Sequence, residues 1–195
     1  MEDKRIAKTK QNLKQALVDL AAEKPFEQIT VTELCKRAGT SRITFYAHYS
    51  DKYELLDEVF RDMRASASAL FHRLQRENNP LGDEVDGCRN LLDAILSVYY
   101  GQEPLFTHAV PHESSYLFYY LHNYIIENVA RVIRRYRPAI EEHKAKQAVS
   151  FVCSGLWVVI LQGQREGQTL AESRDQAQKI LRALLTSGAL PKMFG

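Results

Sequence analysis

Apolar residues recur at three- and four-residue steps along nearly the whole of this chain, and nowhere alternate with polar ones as they would in a half-buried strand. No hairpin signal such as Asn-Gly separates two apolar runs. An all-α fold is therefore expected. Ile6, Leu13, Leu17 and Leu20 share one face of a first helix that Pro25 stops. Thr30 and Glu33 are spaced as a capping box that opens a second helix, and Gly39 suits its tight end. Ser41 is placed to cap a short third helix over 42–48. Asp51, with Glu54 three residues on, is placed to cap a long fourth, which Asn78, Asn79, Pro80 and Gly82 break. Further helices are expected over 84–100, 112–137, 138–165 and 171–187, with Pro104, Pro111, Pro138 and Gly167 as punctuation.

At 195 residues the chain can form one large or two small domains. The longest apolar candidate, Ala148 to Leu161, holds Ser150, Ser154 and Gly155 and is shorter than the roughly 18 residues of a membrane span. Residues 1–12 are charged throughout, with no apolar stretch behind them of the kind a signal peptide needs. A cytoplasmic protein without a membrane partner is the expectation. Cys35, Cys88 and Cys153 are far apart and form no CxxC or Cys/His spacing, so they read as reduced core thiols. Residues 1–50 carry nine basic side chains (Lys4, Arg5, Lys8, Lys10, Lys14, Lys24, Lys36, Arg37, Arg42) against six acidic (Glu2, Asp3, Asp19, Glu23, Glu27, Glu33). That modest excess supports nucleic-acid binding only weakly.

The segment from Thr30 to Lys52 is more informative. It joins a capped helix, a glycine turn and a second helix too short to hold unless packed on a scaffold. Short helices after such a turn enter the major groove of DNA. Ser41, Arg42, Thr44, Tyr46, His48 and Lys52 can all donate hydrogen bonds to phosphate oxygens or base edges. Ala38, Phe45 and Tyr49 can face a core, while Arg42, Thr44 and Tyr46 cannot all do so. By pattern alone the segment also suits an ordinary helical hairpin.

The stretch from Ile29 to Leu56 resembles the DNA-binding signature of the TetR/AcrR regulators, with Thr30, Ala38, Gly39, Ser41, Thr44, Tyr46, His48, Lys52 and Leu55 in register. Tyr49 stands where Phe is more usual, and Cys35 where Ala is. The resemblance implies a three-helix helix-turn-helix DNA-binding domain over 1–50 and a helical effector-binding and dimerisation domain over 51–195. It implies DNA contact at Thr30, Ser41, Arg42, Thr44, Tyr46 and His48, with Lys52 clamping a phosphate from the start of the fourth helix. Arg42 is the candidate for reading guanine, because its planar fork matches O6 and N7.

The remaining two-thirds is rich in aromatic residues, and Tyr99, Phe106, Tyr116, Tyr120 and Trp157 are the candidates for lining a small-molecule site. Each could equally pack a core. His108, His112, Glu113 and His122 could be drawn together as a metal site, but their irregular spacing argues against one, and no cofactor is expected. Val149, Val152, Cys153, Leu156, Val159 and Ile160, with Ala177, Ile180, Leu181, Leu184 and Leu185, form stripes on the last two helices. The resemblance implies that this pair meets its twofold mate in a homodimer, with Gly155 and Gly163 permitting close approach. It further implies a repressor released from double-stranded operator DNA by a small-molecule effector. A coactivator acting through a protein partner is the alternative. An enzyme is not expected: no paired carboxylates, activated nucleophile or phosphate loop appears.

Overall fold

The computed structural model describes residues 2–109, 113–136, 139 and 141–187. Among these there are nine α-helices, one short 3₁₀ turn (Phe26–Gln28) and no strand. The described residues fall into two compact units, one of 1–66 with 101–119, the other of 67–100 with 120–195.

In the first unit α1 (Glu2–Glu23) packs on α2 (Val31–Ala38) and on α6 (Glu103–Phe106), and α2 packs on α3 (Arg42–Tyr46). Leu13 and Leu17 of α1, Leu34 of α2, Phe45 of α3, and Leu55 and Leu56 of α4 (Lys52–Asn78) are all fully buried. Local chemistry fixes the ends. The Thr30 hydroxyl accepts the amide of Glu33 at 3.3 Å while the Glu33 carboxylate accepts the amide of Thr30 at 3.0 Å. Gly39 ends α2 in the left-handed region at φ 63°, where a Cβ would be strained. Ser41 Oγ accepts the amide of Thr44 at 3.0 Å and so opens α3. Asp51 Oδ1 accepts the amides of Tyr53 and Glu54, while the Glu54 carboxylate reaches back to the amide of Ser50.

Two details differ from the sequence reading. The third helix stops at Tyr46 instead of His48. Pro104, read as a break, lies in the first turn of α6, a place that suits a residue without an amide proton. Leu105 and Phe106 of that four-residue helix are buried, Phe106 with its ring 6.3 Å from that of Phe60.

The second unit holds the end of α4, α5 (Glu84–Gly101), most of α7 (Ser115–Tyr136), α8 (Glu142–Arg165) and α9 (Leu170–Thr186). Phe71, Leu91 and Ala94 form a core cluster against which Leu70, Ile95, Val129 and Val132 pack. A capping box between Thr169 and Glu172 opens α9. Pro111, His112, Arg137 and Pro138 lie outside the described residues. One earlier reading needs correction: the Glu142–Gly163 stretch of α8 is long and apolar enough, by length and composition alone, to cross a membrane. In this structure its Val149, Leu156, Trp157 and Ile160 are buried.

Candidate DNA-reading site and effector cavity

On α3 one face is committed to the core and the other to solvent. Phe45 is fully buried, and Tyr49 behind it is nearly so, with its ring 5.6 Å from that of Phe45. Burial first, then the charge of the Glu58 carboxylate, pushes its phenol well above its ordinary range. Anchored in this way, α3 leaves Ser41 and Arg42 exposed, Thr44 and His48 half-exposed, and Tyr46 51% and Ile43 85% exposed. The Arg42 guanidinium lies over the Tyr46 ring at 5.9 Å, so the two present a joined planar surface. The sequence analysis did not single out Ile43. At the centre of the exposed face it is suited to the methyl group of thymine, and its signal in the sequence was its place between two donors, Arg42 and Thr44, two residues after the Ser41 cap.

Thr30 and Ser41 spend their hydroxyls on caps: the Thr30 hydroxyl bonds Glu33 at 2.8 Å, and that of Ser41 lies 2.9 Å from the Thr44 hydroxyl. The Lys24 ammonium and the Thr30 hydroxyl and amide together hold the Glu33 carboxyl down at about 2. Several of the basic residues counted earlier are paired internally. Lys10 and Lys14 meet Glu58, Lys14 also meets Asp62, Lys24 meets Glu33, and Arg37 meets Glu23.

Lys52 is engaged within the chain. Its ammonium donates to three main-chain carbonyls, of Phe26 at 3.0 Å, Glu27 at 2.9 Å and Ile29 at 2.9 Å. Its three protons are thereby used, and the cation also lies over the Phe26 ring at 4.8 Å. Burial pulls its pKa below the ordinary lysine value, with the Glu27 carboxylate opposing. Lys52 thus ties the first residue of α4 to the segment between α1 and α2.

The five aromatic candidates do not share one site. Phe106 is core in the first unit. Tyr116 also belongs to that unit: its ring stacks on Phe26 at 5.6 Å, meets Tyr53 edge-on at 4.9 Å, and its amide donates to the Glu27 carboxylate at 2.9 Å. Tyr99, Tyr120 and Trp157 belong to the second unit, where Tyr99 and Trp157 meet edge-to-face at 4.8 Å. There a cavity of about 90 Å³ opens among α5, α7, α8 and α9, lined by apolar residues including Trp157. His108 pairs with Glu113 at 2.6 Å and His122 with Ser154 at 2.8 Å. Among the described residues no three His, Cys, Asp or Glu side chains are placed to hold a metal ion.

The stripes expected at a dimer face are used in part within the chain, while their Val152, Cys153, Val159, Ile180, Leu184 and Leu185 are half-buried. Val149, Leu156, Ile160, Ala177 and Leu181 are buried within this one chain, and several of them line the cavity. Gly163 is also used internally: a Cβ there would lie 2.5 Å from Gln168 Oε1. The opposite face of α8 is the exposed apolar one, with Phe151 at 65%, Gly155 open, and Val158 at 60%.

Residues 14–59 match the family described as bacterial regulatory proteins, tetR family. Over 71 residues the chain is 34% identical to an uncharacterized HTH-type transcriptional regulator of Bacillus subtilis strain 168, YxbF, covering 36% of this chain and 18% of that one. Over 73 residues it is 33% identical to an uncharacterized HTH-type transcriptional regulator of Haemophilus influenzae, covering 35% of this chain and 34% of the other. The chain thus spans about a third or less of the curated relatives it matches. A crystal structure of a transcriptional regulator (TerR/AcrR family) from Aquifex aeolicus VF5 matches in fold, with a TM-score of 0.64 at 22% identity over 90% of this chain and 99% of that one.

Proposed function

We propose that this chain, a member of the TetR family of bacterial regulatory proteins by its N-terminal domain, is a cytoplasmic repressor that binds operator DNA as a homodimer and leaves it when a small molecule fills the second unit. The observation that carries the reading is α3 itself, whose Phe45 is locked in the core while Arg42, Ile43 and Tyr46 stand out together. In this reading Arg42 and Ile43 read bases. Thr44, Tyr46 and His48 meet the phosphate backbone, and Thr30 and Ser41 approach it at the two capped helix starts. Lys52 contributes by holding α4 to the segment that leads into the Thr30 cap. The reading contains no catalytic step.

For the second copy we propose the exposed face of α8, because Phe151, Gly155 and Val158, four and three residues apart, leave an apolar strip with a flat centre. A twofold pair can set two α3 helices about 34–36 Å apart, the repeat of the major groove. The test is selection of bound sequences from random DNA followed by footprinting. A recovered palindrome protected over two successive major grooves supports the reading. Failure to enrich any sequence sinks it.

A further inference from the structure

The cavity of the second unit is small and dry in character. Its volume of about 90 Å³ is well below the roughly 150 Å³ that houses benzene in an apolar protein core, so it admits only a handful of non-hydrogen atoms. Leu91, Val129, Val149 and Leu181 are typical of its wall, and Glu84, the first residue of α5, is its one charged side chain. Among these walls Trp157 is 8% exposed, and its indole N–H is buried with no hydrogen-bond partner. Edge-to-face packing with Tyr99 constrains that ring. A buried donor without an acceptor is costly. Water is a poor remedy, since a water held there needs two to four polar partners that these walls do not offer.

Resting on the effector reading above, we propose that the effector is a compact, uncharged molecule, apolar except for one hydrogen-bond acceptor oxygen, which takes the indole N–H of Trp157. A carbonyl or ether oxygen meets this requirement. An anion would lose its hydration without gaining a counter-charge, and a cation would have the Glu84 carboxylate alone to replace its water. Cys153, also in the wall, supplies no charge, because burial pushes its thiol up to about 12 and keeps it neutral.

Trp157 is the chain's single tryptophan, so its fluorescence reports on this cavity alone. The experiment titrates the protein with acetone, with its near-isostere isobutene, which lacks the acceptor, and with acetate, which carries a charge. Acetone should shift the tryptophan emission to the red, and acetate should leave it unmoved. By calorimetry, Trp157→Phe should weaken acetone about tenfold, the worth of one net hydrogen bond, and isobutene by less than about twofold. Val152→Leu, which narrows the cavity while keeping the indole, should weaken both neutral probes, with circular dichroism confirming that each variant is folded. Equal losses for the two neutral probes in Trp157→Phe, binding of acetate as tight as that of acetone, or no binding of either neutral probe would each overturn the proposal. Operator selection stands apart from these results: DNA binding without acetone binding removes the effector class alone, whereas failed selection removes the repressor reading whatever the cavity holds.

Discussion

Replacing Lys52 by methionine separates two roles that a lysine at the start of α4 can have. Methionine keeps an apolar stem near Phe26 and removes only the ammonium, so the carbonyls of Phe26, Glu27 and Ile29 lose its three hydrogen bonds. A hydrogen bond to a charged group is worth about 1.5–3 kcal/mol. The three do not simply add. Phe26 O keeps the amide of Ile29 as a partner at 3.1 Å, and Glu27 is exposed, so its carbonyl can turn to water. The loss should therefore be about 2–3 kcal/mol, dominated by the carbonyl of the buried Ile29, read as a lowered urea midpoint. Operator affinity measured across a salt series gives the second readout. A lysine already spent on carbonyls neutralises no phosphate, so the slope of log K against log salt should be the same in Lys52→Met and the wild type. If Lys52 instead clamps a phosphate in each of two subunits, the slope flattens by about 1.8. An unchanged urea midpoint together with that flattening would refute the reasoning.

Ile43→Ala should leave stability within about 0.5 kcal/mol, because the side chain is exposed, yet relax preference for thymine at one symmetric pair of operator positions by about 1 kcal/mol, as seen by competition with single-base operator variants. Phe151→Glu should yield monomers in sedimentation at micromolar concentration without unfolding. Leu181→Glu, aimed at a residue buried within the chain, should lower the melting temperature instead, and a dimeric Phe151→Glu would move the interface elsewhere. Glu33 has its folded pKa depressed to about 2 from an ordinary 4.5, so its contribution is complete above that ordinary value and is lost as pH falls towards 2. Thr30→Val, which removes one of its partners, should shrink the acid-side loss of stability over that window, and denaturation curves of equal pH dependence in the two proteins would contradict this.

What the sequence made legible was what short stretches of chain decide for themselves. The caps at Thr30, Ser41 and Asp51 and the left-handed turn at Gly39 depend on groups within four residues of each other, and each forms as read. So does the burial of Phe45 against the exposure of Arg42, because a short helix on a scaffold has only one inward face. The carbonyl partners of Lys52 were not legible, because they lie 23 to 26 residues back, beyond any local pattern. The helix at Glu103–Phe106 escaped notice because it is one turn long and held by packing on α1. On α8 two apolar faces share the helical period: Val149, Leu156 and Ile160 point inward, Phe151 and Val158 outward. Periodicity finds both faces and cannot say which one the chain covers by itself. The aromatic set divided for a similar reason, since Tyr116 found its partners in Phe26 and Tyr53, which precede it by more than sixty residues.

The unit that carries α3 is not a continuous length of chain: it closes only when residues 101–119 return to residues 1–66. Leu105 and Phe106 are buried there, Tyr116 stacks on Phe26, and Glu27 receives the first turn of α7. A gene fragment ending at residue 66 would therefore encode an incomplete core, with the sides of Phe26 and Phe60 that these residues cover left bare to water. In a recombination experiment the natural cassette is two pieces of sequence instead of one. Exchange of DNA-reading heads between relatives should succeed when the α6 region and the root of α7 travel with the helix-turn-helix, and should give aggregating chimeras when the crossover is made once, in α4.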